Sequence, residues 1–146
     1  MLGRNPAGRL LIVAGPQPTP VTIPEGIVER IRGLCLALPE VTVRVDLSLV
    51  STRSTAYSFD IRRRSFCLLV AREGAAGQPV TLLVLRADPD EREVLLAIGH
   101  PFHAPRTGRD RIAVMLSDDT NWDEIRELVI DSYRTLAPKK LQARLD

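Results

Sequence analysis

Three consecutive arginines, Arg62-Arg63-Arg64, form the densest run of positive charge in this 146-residue chain. A guanidinium carries its N–H donors in a fixed planar fork, and this geometry suits bidentate recognition of phosphate. Three such side chains on one turn would neutralise three phosphates, so binding would weaken steeply with added salt. The alternative is a solvated turn whose charges keep a sheet edge from pairing with another chain.

Two further basic segments follow this triplet along the chain. Arg106, Arg109 and Arg111 lie in one loop, interrupted by Asp110, and Lys139 and Lys140 are predicted to end the last helix. Lysines at a helix C-terminus also interact favourably with the helix dipole, which gives them a structural explanation as well. The candidate nucleic-acid-binding residues are therefore Arg62, Arg63, Arg64, Arg106, Arg109, Arg111, Lys139 and Lys140.

The whole-chain composition neither demands nor excludes an anionic partner. The net charge is only +2, so long-range electrostatics are weak. The basic residues are 18 arginines and 2 lysines, spread along the chain, a pattern that genomic codon bias also explains. The aromatic residues near the arginine triplet, Tyr57, Phe59 and Phe66, recur with strand periodicity, which favours the core over a stacking platform for bases.

Metal and catalytic motifs are weak in this sequence. His100-x-x-His103 has metal-ligand spacing but no third ligand nearby, and the prolines beside it favour a rigid loop. Cys35 and Cys67 each lie inside an apolar run, which predicts two buried free thiols. Asp118-Asp119 precedes a helix and is interpreted as its cap. Phosphate-loop, nucleophile-elbow and dinucleotide motifs are missing. We therefore predict no metal, no cofactor, no catalytic residues and no enzymatic activity.

Length and composition indicate one globular domain. Hydrophobic residues make up 45% of the chain and charged residues 26%, which is ordinary for a soluble protein. No apolar run is long enough to cross a membrane, and the N-terminal run Leu10–Gly15 is too short for a signal peptide. Scattered thiols fit a reducing cytosol, so we predict a cytoplasmic protein without a membrane partner. We expect an extension over residues 1–21, a domain over 22–142 and a tail over 143–146.

Periodicity predicts a helix, three or four antiparallel strands, a helix, one or two strands and a last helix. Thr22 is the predicted cap of the first helix, which Pro39 ends. Strands are predicted at Val43–Leu49, Tyr57–Ile61, Phe66–Ala71, Val80–Leu85 and Ile112–Leu116, with helices from Asp88 and Asn121. Short connections require antiparallel pairing. The predicted fold is α+β, a two-layer antiparallel sheet with helices on one face.

Two predicted strands carry hydrophobic residues on both faces. Phe66–Ala71 and Val80–Leu85 are apolar at almost every position, whereas a strand with one face in water should alternate. The second face must therefore be covered, either by the extension at Leu10–Val13 or by a second copy of the chain. Two-fold dimers are the commonest homo-oligomers, so we predict a homodimer.

Several motifs occur in an order and spacing that resembles the MmcQ/YjbR family. They are Leu38-Pro39-Glu40-Val41-Thr42, Phe59–Cys67, Pro101-Phe102 with Pro105 and Gly108, Val114–Leu116 with Trp122–Ile125, Ser132-Tyr133-Arg134 and Ala137–Leu141. The resemblance implies a CyaY-like, double-wing fold and DNA binding. The sequence departs from the family pattern at Arg63, where glycine is common, and at Arg106 and Arg111, where an aromatic residue is common.

The leading hypothesis is a non-enzymatic domain that binds DNA weakly, mostly through phosphates, by the Arg62–Arg64 turn and the 106–111 loop. One alternative is a homodimeric protein-interaction module. Another is a small-molecule binder or an enzyme of unrecognised type near His100 and His103, and a pocket lined by both histidines would favour it.

Overall fold

The computed structural model describes residues 2–4, 10–12, 21–45, 55–106 and 108–145. Its strands are β1 (Leu2–Arg4), β2 (Leu10–Ile12), β3 (Thr42–Val45), β4 (Thr55–Ile61), β5 (Arg64–Glu73), β6 (Pro79–Arg86), β7 (Phe102–His103) and β8 (Arg111–Leu116). Its helices are α1 (Glu25–Leu36), α2 (Pro89–Ile98), α3 (Trp122–Leu136) and α4 (Lys139–Ala143). The predicted order of helices and strands is confirmed, with the short strand β7 added inside the predicted 100–109 loop.

The main sheet has six strands in the order β3-β4-β5-β6-β8-β7, and every neighbouring pair is antiparallel. The predicted α+β class is confirmed. The N-terminal extension forms a separate two-stranded sheet in which Leu2–Arg4 pairs with Leu10–Ile12. The predicted linker at Gln17–Pro20 and most of the segment after Asp46 lie outside the described residues.

Strand register divides the main sheet into two faces. Cys67, Leu69 and Ala71 pair with Leu85, Leu83 and Thr81, and the hydrophobic members of this set belong to the core that also holds Ile31, Ile125 and Val129 of α1 and α3. Residues of the opposite parity point to the other side of the sheet. They include Leu68, Val70, Leu82 and Val84, and none of them belongs to that core. Both faces of the central strands are therefore apolar, as the sequence predicts.

Helix starts are partly as predicted. Asp88 caps α2 by accepting a hydrogen bond from the Glu91 N–H at 2.9 Å. The predicted cap of α1 at Thr22 is wrong, because Pro24 occupies the N-cap position and no side chain caps the helix. A residue before proline is pushed out of the α region, so Ile23 cannot be the first helical residue that a Thr22 cap would require.

The ends of α3 also differ from prediction. Asn121 caps it, because its Oδ1 accepts hydrogen bonds from the N–H groups of Asp123 and Glu124. The capping role predicted for Asp118-Asp119 is therefore wrong. The prediction that Lys139 and Lys140 end the last long helix is wrong as well. Pro138 forces Ala137 into extended backbone, and the two lysines begin the separate helix α4, where the helix dipole disfavours a cation.

A β-bulge interrupts the pairing of β4 with β5. Phe59 pairs with Cys67 and Asp60 pairs with Ser65, which leaves Phe66 as the extra residue. The hydroxyl of Ser132, fully buried in α3, donates a hydrogen bond to the Phe66 carbonyl. The same hydroxyl accepts from the Arg86 N–H at 2.8 Å. One side chain therefore satisfies two backbone groups at the irregular end of the sheet.

Beside this bridge, Tyr133 fastens α3 to two other elements. Its ring meets Phe66 edge to face, with centroids 5.5 Å apart. Its hydroxyl donates to the Pro39 carbonyl at 2.8 Å, just before β3. At the opposite end of α3, the Arg30 guanidinium of α1 lies 5.1 Å from the centre of the Trp122 ring.

In the described parts of the chain, no helix combines the length and apolar composition needed to cross a bilayer.

We expect Ser132→Ala to lower the free energy of unfolding by roughly 1–3 kcal/mol, because it leaves the Phe66 carbonyl and the Arg86 N–H buried without this partner. Urea denaturation measures the change. Thr135→Ala in the same helix is the control, since the hydrogen bond of its hydroxyl is local, to the Ser132 carbonyl three residues earlier. That control should change stability by less than about 0.5 kcal/mol, and equal losses in both variants would contradict the bridging role.

Candidate functional site

The arginine triplet forms the tip of the β4–β5 hairpin. Arg62 and Arg63 are the two turn residues, Arg64 begins β5, and all three are exposed. The predicted position of the triplet at an exposed turn between paired strands is confirmed. The backbone φ angles of Arg62 and Arg63 are 49° and 69°, as in a type I′ turn, which usually carries Asn-Gly. A side chain at positive φ costs about 1–2 kcal/mol, so this turn holds two arginines against its backbone preference.

Strand ends place further arginines beside the hairpin tip. Ile61 pairs with Arg64 in one hairpin, and Arg86 pairs with Arg111 at the same end of the sheet. Since β5 and β8 flank β6, Arg64 and Arg111 lie on the strands on either side of Arg86, at the same end of the sheet. We call Arg62, Arg63, Arg64, Arg86 and Arg111 the arginine end of the sheet.

Arg86 is the fixed centre of the arginine end. Its side chain is only 12% exposed and donates to the Ser65 carbonyl and to the Asp110 carboxylate, both at 2.8 Å. The pKa of Arg86 is lowered, first by burial and then by the nearby charges of Arg111 and Arg64, while Asp110 acts in the opposite direction. The cations at this end therefore repel one another, and an anion bound among them would relieve the repulsion.

The other predicted residues divide between three places. Arg109 is exposed in the turn before β8. The Ala87 N–H, just after β6, donates a 2.9 Å hydrogen bond to the Asp110 carbonyl and so holds this turn beside β6. Arg106 lies away from the arginine end, along a groove on the face of the sheet that no described helix covers, which we call the uncovered face. Lys139 and Lys140 are exposed on α4, on the helix side of the molecule. The structure thus brings together the Arg62–Arg64 turn, Arg109 and Arg111, and separates Arg106 and the lysines from them.

The uncovered face of the sheet holds a groove of about 1080 Å³ lined by both histidines. His103 pairs with Ala113 at the sheet edge, and His100 lies just before β7. The pKa of His103 is lowered, first by burial and then by the charges of Arg72 and His100. This groove fulfils the condition under which the sequence favours a small-molecule site near the two histidines.

Metal and thiol chemistry gain no geometric support within the described ranges. No group of three or more His, Cys, Asp or Glu side chains there is arranged to hold a metal ion. Cys35 and Cys67 are free and fully buried, as predicted. Burial, reinforced by its neighbour Cys35, raises the pKa of the Cys67 thiol, so this thiol is a poor nucleophile at neutral pH.

Sequence reasoning missed three polar residues that the fold places on the uncovered face. Arg72 and Arg86 lie near the ends of apolar strands, at alternate positions whose side chains point to that face. This alternation could have identified them from the sequence. Asp60 is the third, with its side chain 9% exposed, held by Arg44 at 3.2 Å and by the Ser58 hydroxyl at 2.7 Å. Its position in a period-two strand gave no sign of burial, because the alternation predicts an exposed side chain there.

Arg63→Gly should raise the free energy of unfolding by roughly 0.5–1 kcal/mol, since glycine adopts positive φ without strain and offsets its larger unfolded-state entropy. Arg64→Gly is the matched control, because it removes the same charge from an ordinary strand position and should destabilise by a similar amount. Thermal and urea denaturation of both variants test the strain. A loss of stability in Arg63→Gly would contradict it.

The lowered pKa of His103 predicts a pH effect on stability. The folded chain binds fewer protons than the unfolded chain just below the unfolded pKa of about 6.5. The stabilisation from a neutral His103 is therefore complete above that pH and is lost as the pH falls below it. His103→Gln should lose less unfolding free energy than the parent between pH 7 and pH 5. Identical pH dependence in urea titrations of both proteins would refute this.

Comparison with known proteins agrees with this architecture. The model of the YjbR family matches residues 36–135. A solved structure from Deinococcus radiodurans, protein DR2400 with a DUF419 domain, has a similar fold, with a TM-score of 0.56 and 17% sequence identity over 87% of this chain and 90% of that one. A search of curated proteins finds no match. Since the family match spans more than half of the sequence, the chain belongs to the YjbR family.

Proposed function

We propose that this chain is a non-enzymatic, cytoplasmic domain that binds the phosphate backbone of DNA through the arginine end of its sheet. The observation that carries the proposal is the Arg62–Arg63 turn, in which both residues have positive φ and exposed side chains. Strained backbone persists where the side chain has a use that offsets the cost. A solvated edge turn would be served as well by Asn-Gly, which carries no strain.

The surroundings of the turn suit phosphate rather than a protein carboxylate. Arg62 has a weak partner in Glu40, at 3.9 Å with both side chains at least half exposed, and a surface pair of this kind contributes little. Asp110 offsets part of the charge of Arg86, while Arg64 and Arg111 stand on either side. Extended arginines at a hairpin tip can contact successive phosphates along one strand of a duplex.

Binding of this kind would show little sequence preference. The aromatic side chains nearest the tip, Phe59 and Phe66, are buried in the core and cannot stack on bases. Phosphate contacts fix the position of a protein on DNA without reading its sequence. The expected activity is weak, salt-sensitive DNA binding that is insensitive to base composition.

We expect Arg62→Ala, Arg63→Ala and Arg64→Ala, combined in one variant, to reduce the slope of log K against log salt by about 2–3. Fluorescence anisotropy with a labelled duplex, between 50 and 200 mM salt, measures the slope for parent and variant. Urea denaturation of the variant establishes that it remains folded.

The matched control combines Arg30→Ala, Arg32→Ala and Arg126→Ala, which removes the same charge from exposed positions on α1 and α3. Its slope should stay within about one unit of the parent value, because those side chains lie on the helix side of the sheet. If the parent does not bind DNA at 50 mM salt, or if the two triple variants lose binding equally, the arginine end is not a DNA-binding surface.

A further inference from the structure

The groove on the uncovered face of the sheet has an apolar floor and polar walls. The floor is formed by Leu68, Val70, Leu82, Val84, Ala113 and Met115 of the three central strands. The β5–β6 turn closes one end, and the segment from His100 to Arg106 forms a side wall. Its volume of about 1080 Å³ is at the upper limit for sites of small ligands, which are also mostly apolar with a few placed polar groups.

The floor of the groove is partly sheltered from solvent. Leu82 is 4% exposed and Ala113 is 1% exposed, although both face away from the helices, whereas Leu68, Val70, Val84 and Met115 are half-buried. The exposed large hydrophobic side chains among the described residues are Leu36, Val45, Val94 and Ile98, and none of them lines the groove. A half-buried apolar floor inside a groove offers a slender hydrocarbon chain a surface on which it leaves water.

Charge in the groove favours an anion. The described lining carries Arg72 and Arg106 against a single carboxylate, that of Glu73. The charge of Arg72 contributes to lowering the pKa of His103, and both side chains line the groove. Strand register places Arg72 opposite Val80 and His103 in the row of Ala113 and Val84, so the two residues stand at different positions along the groove.

We propose that this groove binds an amphiphilic carboxylate, with its hydrocarbon chain on the strand floor and its carboxylate at Arg72. The carboxylate would accept paired hydrogen bonds from a guanidinium. The chain would lie along Val70, Leu82 and Val84, where each methylene leaves water on binding. This site is separate from the arginine end and does not depend on DNA binding.

Isothermal titration calorimetry of the full chain with dodecanoate, below its micelle concentration, tests the proposal. We expect saturable one-to-one binding. Decanoate, shorter by two methylenes, should bind roughly tenfold more weakly. Dodecyltrimethylammonium, with an equal tail and the opposite charge, should bind at least tenfold more weakly than dodecanoate. Equal binding of the cation would indicate adsorption of any detergent, and absence of saturable dodecanoate binding would overturn the proposal.

Two variants locate the carboxylate. Arg72→Gln should weaken dodecanoate at least tenfold and leave dodecanol binding unchanged, because Arg72 is exposed and its loss removes only the charge contact. Arg126→Gln, on the surface of α3, is the control and should bind dodecanoate as the parent does. If both variants bind equally well, the carboxylate is not held at Arg72 and the assignment is wrong.

Light scattering on the same samples distinguishes the other occupant of this face. The predicted homodimer would use the same strands, so a dimer that excludes dodecanoate would mean that a second copy fills the groove, and the ligand proposal would fail. A monomer that binds dodecanoate supports the proposal. The variant lacking Arg62, Arg63 and Arg64 should bind dodecanoate normally, which makes failure of the DNA proposal distinguishable from failure of this one.

Discussion

The hydroxyl of Ser132 makes two hydrogen bonds on which the geometry of the whole sheet end depends. The bulge at Phe66 breaks the strand ladder, and Ser132 partners the Phe66 carbonyl and the Arg86 N–H. An unsatisfied group at either position would cost about 1–3 kcal/mol, a large part of the stability of a small domain. The two hydrogen bonds of Ser132 also fix the position of α3 along the sheet. This position sets the contacts of the next residue, Tyr133, with Phe66 and Pro39.

This bridge links the core to the candidate surface. Arg86 is bound through its N–H to Ser132 and through its side chain to Ser65 and Asp110. The bulged residue Phe66 follows the Arg62–Arg63 turn by three residues, and a bulge increases the local twist, so it directs the hairpin tip. The Ser-Tyr pair that resembles the family signature is therefore explained by packing and hydrogen bonding. Its presence in the sequence is evidence for the fold and carries no information about the ligand.

The sequence predicted those features that depend on local chemistry. Asp88 precedes a proline and an acidic first turn, so the cap of α2 was visible. The cap of α3 was not, because Asp118-Asp119 offers the same capping chemistry just before Asn121. The bulge was not, because its extra residue Phe66 is as apolar as its neighbours and only the partner strand reveals the mismatch. The break between α3 and α4 was signalled by Pro138, yet continuous periodicity through Leu136 favoured one helix ending in lysines.

The candidate sites show the same division between local and long-range information. The Arg62–Arg64 triplet was visible as a run, whereas Arg72 and Arg86 acquire their surroundings only when four strands align. Alignment also separates Arg106 from Arg109 and Arg111, because Arg106 lines the groove and the others lie at the sheet end. Only two residues lie between Arg106 and Arg109 in the chain. Basic residues that are close in the sequence therefore do not all belong to one basic surface of the fold. A chain with net charge +2 cannot attract DNA at long range, so any affinity must come from the few arginines that the bulged sheet end brings together.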